Sequence, residues 1–206
     1  MNETAEWVEA PEQPGYMKKE LKKIYGKEKT NEILSLVKKH YQESLLLCKD
    51  ASNGELFHLE NTILPTSSFY KALLEVDNEN AFENTNKIII GLCKKGAKVL
   101  NAMLKFPRMK SVFMKILPKM ALKIFGKECG FDYKNFQSDK TNFQMDMTMC
   151  PYVKYAKILK VEELTRIFCE SDFATYGNLS GIVFERTQTI GTGGNLCDFK
   201  FSRIDK

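Results

Sequence analysis

The spacing of apolar residues changes near Gly130. Before it they recur every three to four residues, the period of a helix that buries one face. Beyond it Phe143, Met145, Met147 and Met149 alternate with Gln144, Asp146 and Thr148, the two-residue period of a half-buried strand. A single switch of period, without repeated strand-helix alternation, directs the chain toward helices first and an antiparallel sheet second, an α+β arrangement. Met17 to Tyr25 reads as a short lysine-rich helix ended by Gly26, and Thr30 is expected to cap a longer one carrying Ile33, Val37, Tyr41 and Leu45 at four-residue spacing as far as Asp50. Thr66, after Pro65, is expected to cap a short helix through Leu74, and Asp77 or Asn78 opens another toward Leu104. A further helix spans Pro107 to Gly126, kinked or restarted at Pro118. In the second part, Phe131 to Phe136 is the hairpin partner of the alternating strand. Pro151 starts one or two helices reaching Phe168, and a loop covers Asp172 to Asn178. Strands at Leu179 to Ile190 and Asn195 to Arg203 are joined by the turn Gly191-Thr192-Gly193-Gly194. The expected organisation is a loose arm over residues 1–15, with Pro11, Pro14 and four glutamates. A single α+β domain over 16–206 follows, its helical half at 16–130 packed on a sheet-containing half at 131–206 that short helices interrupt.

With 206 residues, 43% of them hydrophobic, the chain can bury a core without disulfides or a structural metal. No stretch approaches the about 18 to 20 apolar residues of a bilayer span, and the acidic, polar start lacks the basic head and apolar body of a signal peptide. A cytoplasmic address is therefore expected. The six cysteines include no CxxC pair and are scattered, which suits reduced thiols, so cysteine chemistry here would be thiolate chemistry. With only two histidines, His40 and His58, a His-rich metal site or a Ser-His-Asp triad has little material, and His40 reads as a solvated helix residue. The glycine-rich turn lacks the lysine-serine/threonine ending of a phosphate-binding loop. No cofactor is expected.

Cys150 stands where the strand pattern stops and Pro151 opens a helix, so free N–H groups and the helix dipole are expected to favour its thiolate; the alternative is a small buried hydrophobe. A two-residue turn at Thr192-Gly193 sets Gln188 opposite Cys197 and Arg186 opposite Phe199, so Arg186, Gln188 and Cys197 share a face with Ile182, Phe184 and Phe201. An arginine directed to an apolar face needs an anion, either an internal carboxylate such as Asp172 or Glu163 or the carboxylate of a ligand. Cys150, Cys169, Asp172 and Cys197 are competent metal ligands, but their separations match no zinc pattern and no metal is expected.

Between Lys94 and Lys127 there are ten lysines and arginines and no acidic residue. Lys115, Lys119, Lys123 and Lys127 form one stripe, while Val112, Phe113, Ile116, Met120 and Ile124 are expected to face the other way, into the core. An ordinary solvated face and attachment to an anionic membrane surface both remain open, the solvated face being the simpler. Nucleic acid is not expected, because no helix-turn-helix or RNA-binding motif accompanies the charge.

Cys150-Pro151, then Cys169-Glu170-Ser171-Asp172, then Glu185-Arg186-Thr187-Gln188-Thr189-Ile190-Gly191, then Cys197-Asp198-Phe199, in that order, resembles the L-2-amino-thiazoline-4-carboxylic acid hydrolase family. The likeness runs from about Phe131 to Arg203. It implies hydrolysis of a cyclic isothiourea: water adds at C2 of 2-aminothiazoline-4-carboxylate, the ring C–S bond breaks, and N-carbamoyl-cysteine forms. A small-molecule carboxylate is then the expected partner. On residue type and hairpin register, Cys150 or Cys197 is the candidate nucleophile and Asp172 a proton shuttle or holder of the exocyclic amine. Arg186 and Gln188 are candidate binding groups, and Cys169 joins them through the resembling motif. A non-catalytic domain that senses a ligand or binds a partner is the alternative.

Overall fold

The computed structural model describes residues 15–204, so the expected arm falls, Gly15 apart, outside the described residues. Helix α1, Gly15–Leu47, bends at Gly26, whose φ of 77° and ψ of 177° interrupt it where glycine alone is unstrained. Thr30 lies inside the helix rather than capping it; its hydroxyl donates to the Gly26 carbonyl at 2.6 Å, one turn back. Ile33, Val37 and Tyr41 are buried against α3, Leu64–Val76.

The turn that the run Asp50-Ala51-Ser52-Asn53-Gly54 suggests is short, because the chain is helical again from Asn53. Ser52 caps α2, Asn53–His58: its hydroxyl accepts from the Glu55 N–H at 3.3 Å and Glu55 accepts from the Ser52 N–H at 3.0 Å, a reciprocal capping box. A π-helical segment, Leu59–Ile63, carries the chain into α3, so Thr66 is a buried interior residue and Pro65 sits in the first turn. Glu55 also binds Lys154 at 2.6 Å, tying this cap to the second half of the chain. Ser52→Ala is expected to lower unfolding free energy by about 1 kcal/mol in a denaturant titration, because one N–H loses its acceptor.

Helix α4, Ala81–Leu104, follows a 3-10 turn at Asn78–Asn80, and α5, Met109–Ile124, runs through Pro118 as one helix. The inward face of α5 matches the expected one at Phe113, which packs against Phe201, but is turned at other positions. Met114 and Ala121 are buried and Leu117 packs beside them, whereas Val112, Ile116 and Met120 are exposed. The helix has apolar residues on two sides, and only one side can meet the sheet.

Strands β1, Asp132–Ser138, and β2, Asn142–Met149, pair antiparallel; β4, Cys197–Arg203, lies on the other side of β2, and β3, Ile182–Glu185, forms the opposite edge. Between β2 and β3 come α6, Pro151–Ile158, and α7, Leu164–Tyr176. The fold is thus α+β with an antiparallel sheet in its second part. Phe143, Met145 and Met147 stand opposite Phe201, Phe199 and Cys197 on the face turned to α5 and α7. Asp146, expected on the solvent side, is buried and accepts from the Asn135 side chain at 2.6 Å. One apolar core lies among α1, α3, α6 and α7 and a second beneath α5; Tyr152 packs against both.

Candidate active site

The second core is not filled. A cavity of about 320 Å³ lies between the sheet, α5, α6 and α7. Phe143, Met145 and Met147 of β2 with Phe199 and Phe201 of β4 form its floor, and Leu117 and Ala121 of α5 cover one side. The polar groups come mainly from α7. Thr165, Cys169, Asp172 and Tyr176 occupy positions i, i+4, i+7 and i+11 of one helix face, and all four line the cavity. The loop expected from Asp172 onward is therefore the last part of a helix, which explains why Cys169 and Asp172 meet the same space: three residues apart, they lie on one face.

Five of the six nominated side chains, Cys150, Cys169, Asp172, Arg186 and Cys197, line this cavity. Gln188 does not. The expected register holds, with Ile182 opposite Arg203 and Glu185 opposite Lys200, but the ladder stops there. The carboxylate of Asp198 accepts the Thr187 N–H at 3.0 Å and the Gln188 N–H at 2.9 Å, replacing ladder bonds with side-chain bonds. Gln188 then turns outward and accepts from the Asn195 N–H at 3.1 Å. The tight turn expected at Thr192-Gly193 is a 3-10 turn at Ile190–Thr192 closed by Gly193, φ 92°.

Arg186 finds the internal anion. Its side chain is 5% exposed; it forms an ion pair with Asp172 and donates to the Cys169 carbonyl at 2.8 Å, with Phe173 and Phe199 stacked at 4.9 and 5.6 Å. Glu163, the other candidate, accepts the Tyr70 hydroxyl at 2.7 Å instead. Asp172 keeps 29% of its side-chain surface, which borders the cavity. Burial pushes its carboxyl up to about 6, against the pull of Arg186.

The thiols behave differently from the helix-terminus expectation. Cys150 is the N-cap residue of α6, and the Val153 and Tyr152 amides do favour its thiolate, but burial outweighs them and pushes the thiol up to about 12. Burial likewise raises Cys197 to about 11, with the Ile190 N–H, 3.3 Å from its sulfur, opposing, and it raises Cys169. Burial thus holds these thiols neutral at physiological pH. Among the described residues no group of three or more His, Cys, Asp or Glu side chains is placed to hold a metal ion.

The cavity also has lining groups that residue type did not single out. Tyr152 lines it, and the Tyr152 hydroxyl lies 3.1 Å from Nδ1 of buried His58, whose Nε2–H donates to the Ile124 carbonyl at 2.7 Å. That second bond fixes the tautomer, so Nδ1 accepts from the tyrosine, and burial lowers the His58 pKa and keeps it neutral. Cys93 of α4 and Thr175 also face the cavity. Thr165 and Tyr176 lie on one helical stripe with Cys169 and Asp172, a signal hidden by the expected loop at Asp172; His58 and Cys93 had no local signal. His40 is buried rather than solvated, between Glu43 at 3.1 Å and Glu75 at 2.8 Å.

The sequence model of a family described as L-2-amino-thiazoline-4-carboxylic acid hydrolase matches residues 57–201, which include every cavity-lining residue named above. No curated protein and no solved structure matches the chain.

Proposed function

Because the chain belongs to the L-2-amino-thiazoline-4-carboxylic acid hydrolase family, we propose that its cavity binds a small zwitterionic amidine and hydrolyses it, with 2-aminothiazoline-4-carboxylate as the substrate to test. The observation that carries this reading is the buried Asp172–Arg186 pair in the cavity wall. A ligand bearing both an amidinium and a carboxylate exchanges partners with such a pair. Asp172 takes the amidinium N–H groups and Arg186 the carboxylate, so no net charge is added to an apolar space.

Asp172 is the base. An acid that titrates near 6 is ionised at neutral pH yet still returns its proton readily, which suits general-base work. It removes a proton from water as the oxygen bonds to C2 of the protonated amidine. The C2–S bond then breaks, the hydroxyl proton leaves to complete the carbonyl, and the ring sulfur departs as thiolate and is protonated. Atoms balance as substrate plus one water giving N-carbamoyl-cysteine. The neutral thiols of Cys150, Cys169 and Cys197 offer weak hydrogen bonds to the ring in this route. A covalent route through Cys150 draws its support from the Tyr152 and Val153 amides, which would stabilise its sulfur once an amidinium lies beside it.

The test is incubation of the full chain with 2-aminothiazoline-4-carboxylate, following the new free thiol and identifying N-carbamoyl-cysteine by mass. Turnover is expected, and Cys150→Ser and Cys197→Ser are expected to retain most of it. Loss of turnover in either folded variant, with a trapped adduct in the wild type, would replace the direct route by the covalent one. Thermal stabilisation by the compound without consumption would indicate the non-catalytic alternative, and neither effect would remove this substrate.

A further inference from the structure

The second core uses one side of α5 and leaves the other without cover. Val112, Ile116 and Met120, four residues apart, form an exposed apolar stripe. Lys115, Lys119 and Lys123, also four apart, run beside it and are exposed. The end of α4 repeats the arrangement, with Val99 64% exposed, Met103 exposed, and Phe106, just past the helix, 67% exposed among Lys98, Lys105 and Arg108. Of the ten basic residues from Lys94 to Lys127, Lys127 is the one that forms an ion pair among the described residues, with Asp132 at 3.2 Å. Six large apolar side chains thus stand in water on two consecutive helices and the turn that joins them, together with an almost uncompensated positive charge.

We propose that the end of α4, the turn after it and α5 form a docking surface for an anionic lipid membrane, lying in the headgroup region with exposed apolar side chains inserted and lysines among the headgroups. An interfacial helix needs exposed large apolar residues on one face and Lys or Arg flanking them, and both stripes meet that description. Among the described residues no helix is long and apolar enough to cross a membrane, so the contact lies along the surface. The charge argues against a second copy of the chain: a two-fold contact would set this basic surface against itself. It also argues against nucleic acid, since phosphates match the lysines but leave Val99, Phe106, Ile116 and Met120 without apolar contact.

Co-sedimentation of the full chain with vesicles tests this. Binding is expected to vesicles of mixed phosphatidylglycerol and phosphatidylcholine at about 0.1 M salt, and to fall at about 1 M salt, where the Debye length shrinks to about 3 Å. Phosphatidylcholine alone is expected to bind at least tenfold more weakly. The charge variant Lys115→Gln/Lys119→Gln/Lys123→Gln and the apolar variant Met103→Ser/Phe106→Ser/Ile116→Ser change exposed positions. Each is expected to lose at least tenfold in binding with an unchanged far-ultraviolet spectrum. Absence of binding to the anionic vesicles, equal binding to both compositions, or binding that survives the apolar variant would overturn the proposal. So would a concentration-dependent dimer that the apolar variant dissolves, or tighter binding to duplex DNA than to the vesicles. None of these readings depends on turnover in the cavity.

Discussion

Arg186→Met is expected to lower the free energy of unfolding by about 3–5 kcal/mol, the usual cost of leaving one member of a buried ion pair without its partner. Arg186 is 5% exposed, so its removal takes from Asp172 a counter-charge that water cannot replace in full, and it frees the Cys169 carbonyl from a hydrogen bond. The double variant Asp172→Leu/Arg186→Met is expected to recover most of that loss, since two apolar side chains suit surroundings that already include the Phe173 and Phe199 rings. Urea titrations of the wild type, both single variants and the double variant measure the coupling. Equal losses in the single and double variants would mean that the pair contributes through packing rather than charge. Whatever its stability, the double variant is expected to bind no carboxylate ligand.

Asp172→Asn is expected to reduce kcat/KM by about 10²- to 10⁴-fold, the range a positioned base contributes. In the wild type kcat/KM should rise with pH through about 6 as the carboxylate ionises, and this limb should be missing from the variant. Stability moves the other way. The folded carboxyl titrates above its unfolded value of about 3.9, so the folded state binds more protons between about pH 4 and 6. The stabilisation it gives is complete below that window and is lost as pH rises through about 6. Compared with the variant, which has no proton there to lose, the wild type should therefore lose stability from about pH 4 to pH 7. A pH–rate profile and denaturation midpoints at the two pH values check both signs. A wild-type limb near 4, or one that persists in the variant, would remove Asp172 from the role of base.

Part of the candidate site could be read from the chain, where a member sits at a position with a local signature. Pro151 placed Cys150 at a helix start, and the glycine-rich turn set the strand register that still relates Glu185 to Lys200. The register did not carry as far as Gln188, because Asp198, eleven residues beyond Thr187, supplies acceptors that a backbone pattern does not reveal. The Cys150 thiol shows the same limit in energetic form. Its place at a helix N-terminus was legible and its effect has the expected sign, yet burial under neighbouring segments is the larger effect. The two-sided apolar pattern of α5 gave no rule for which side the sheet would take.

Residue spacing along the chain was enough for the helical character of the first part and the strands after Gly130, since periodicity, caps and turn residues act over a few positions; the family rested instead on the resemblance of its ordered motifs. The pairing of Arg186 with Asp172, the neutral thiols, the contact of His58 with Tyr152 and the uncovered side of α5 came from the folded arrangement. Each depends on which distant segments exclude water from one another, and desolvation belongs to the packed whole rather than to any stretch of chain.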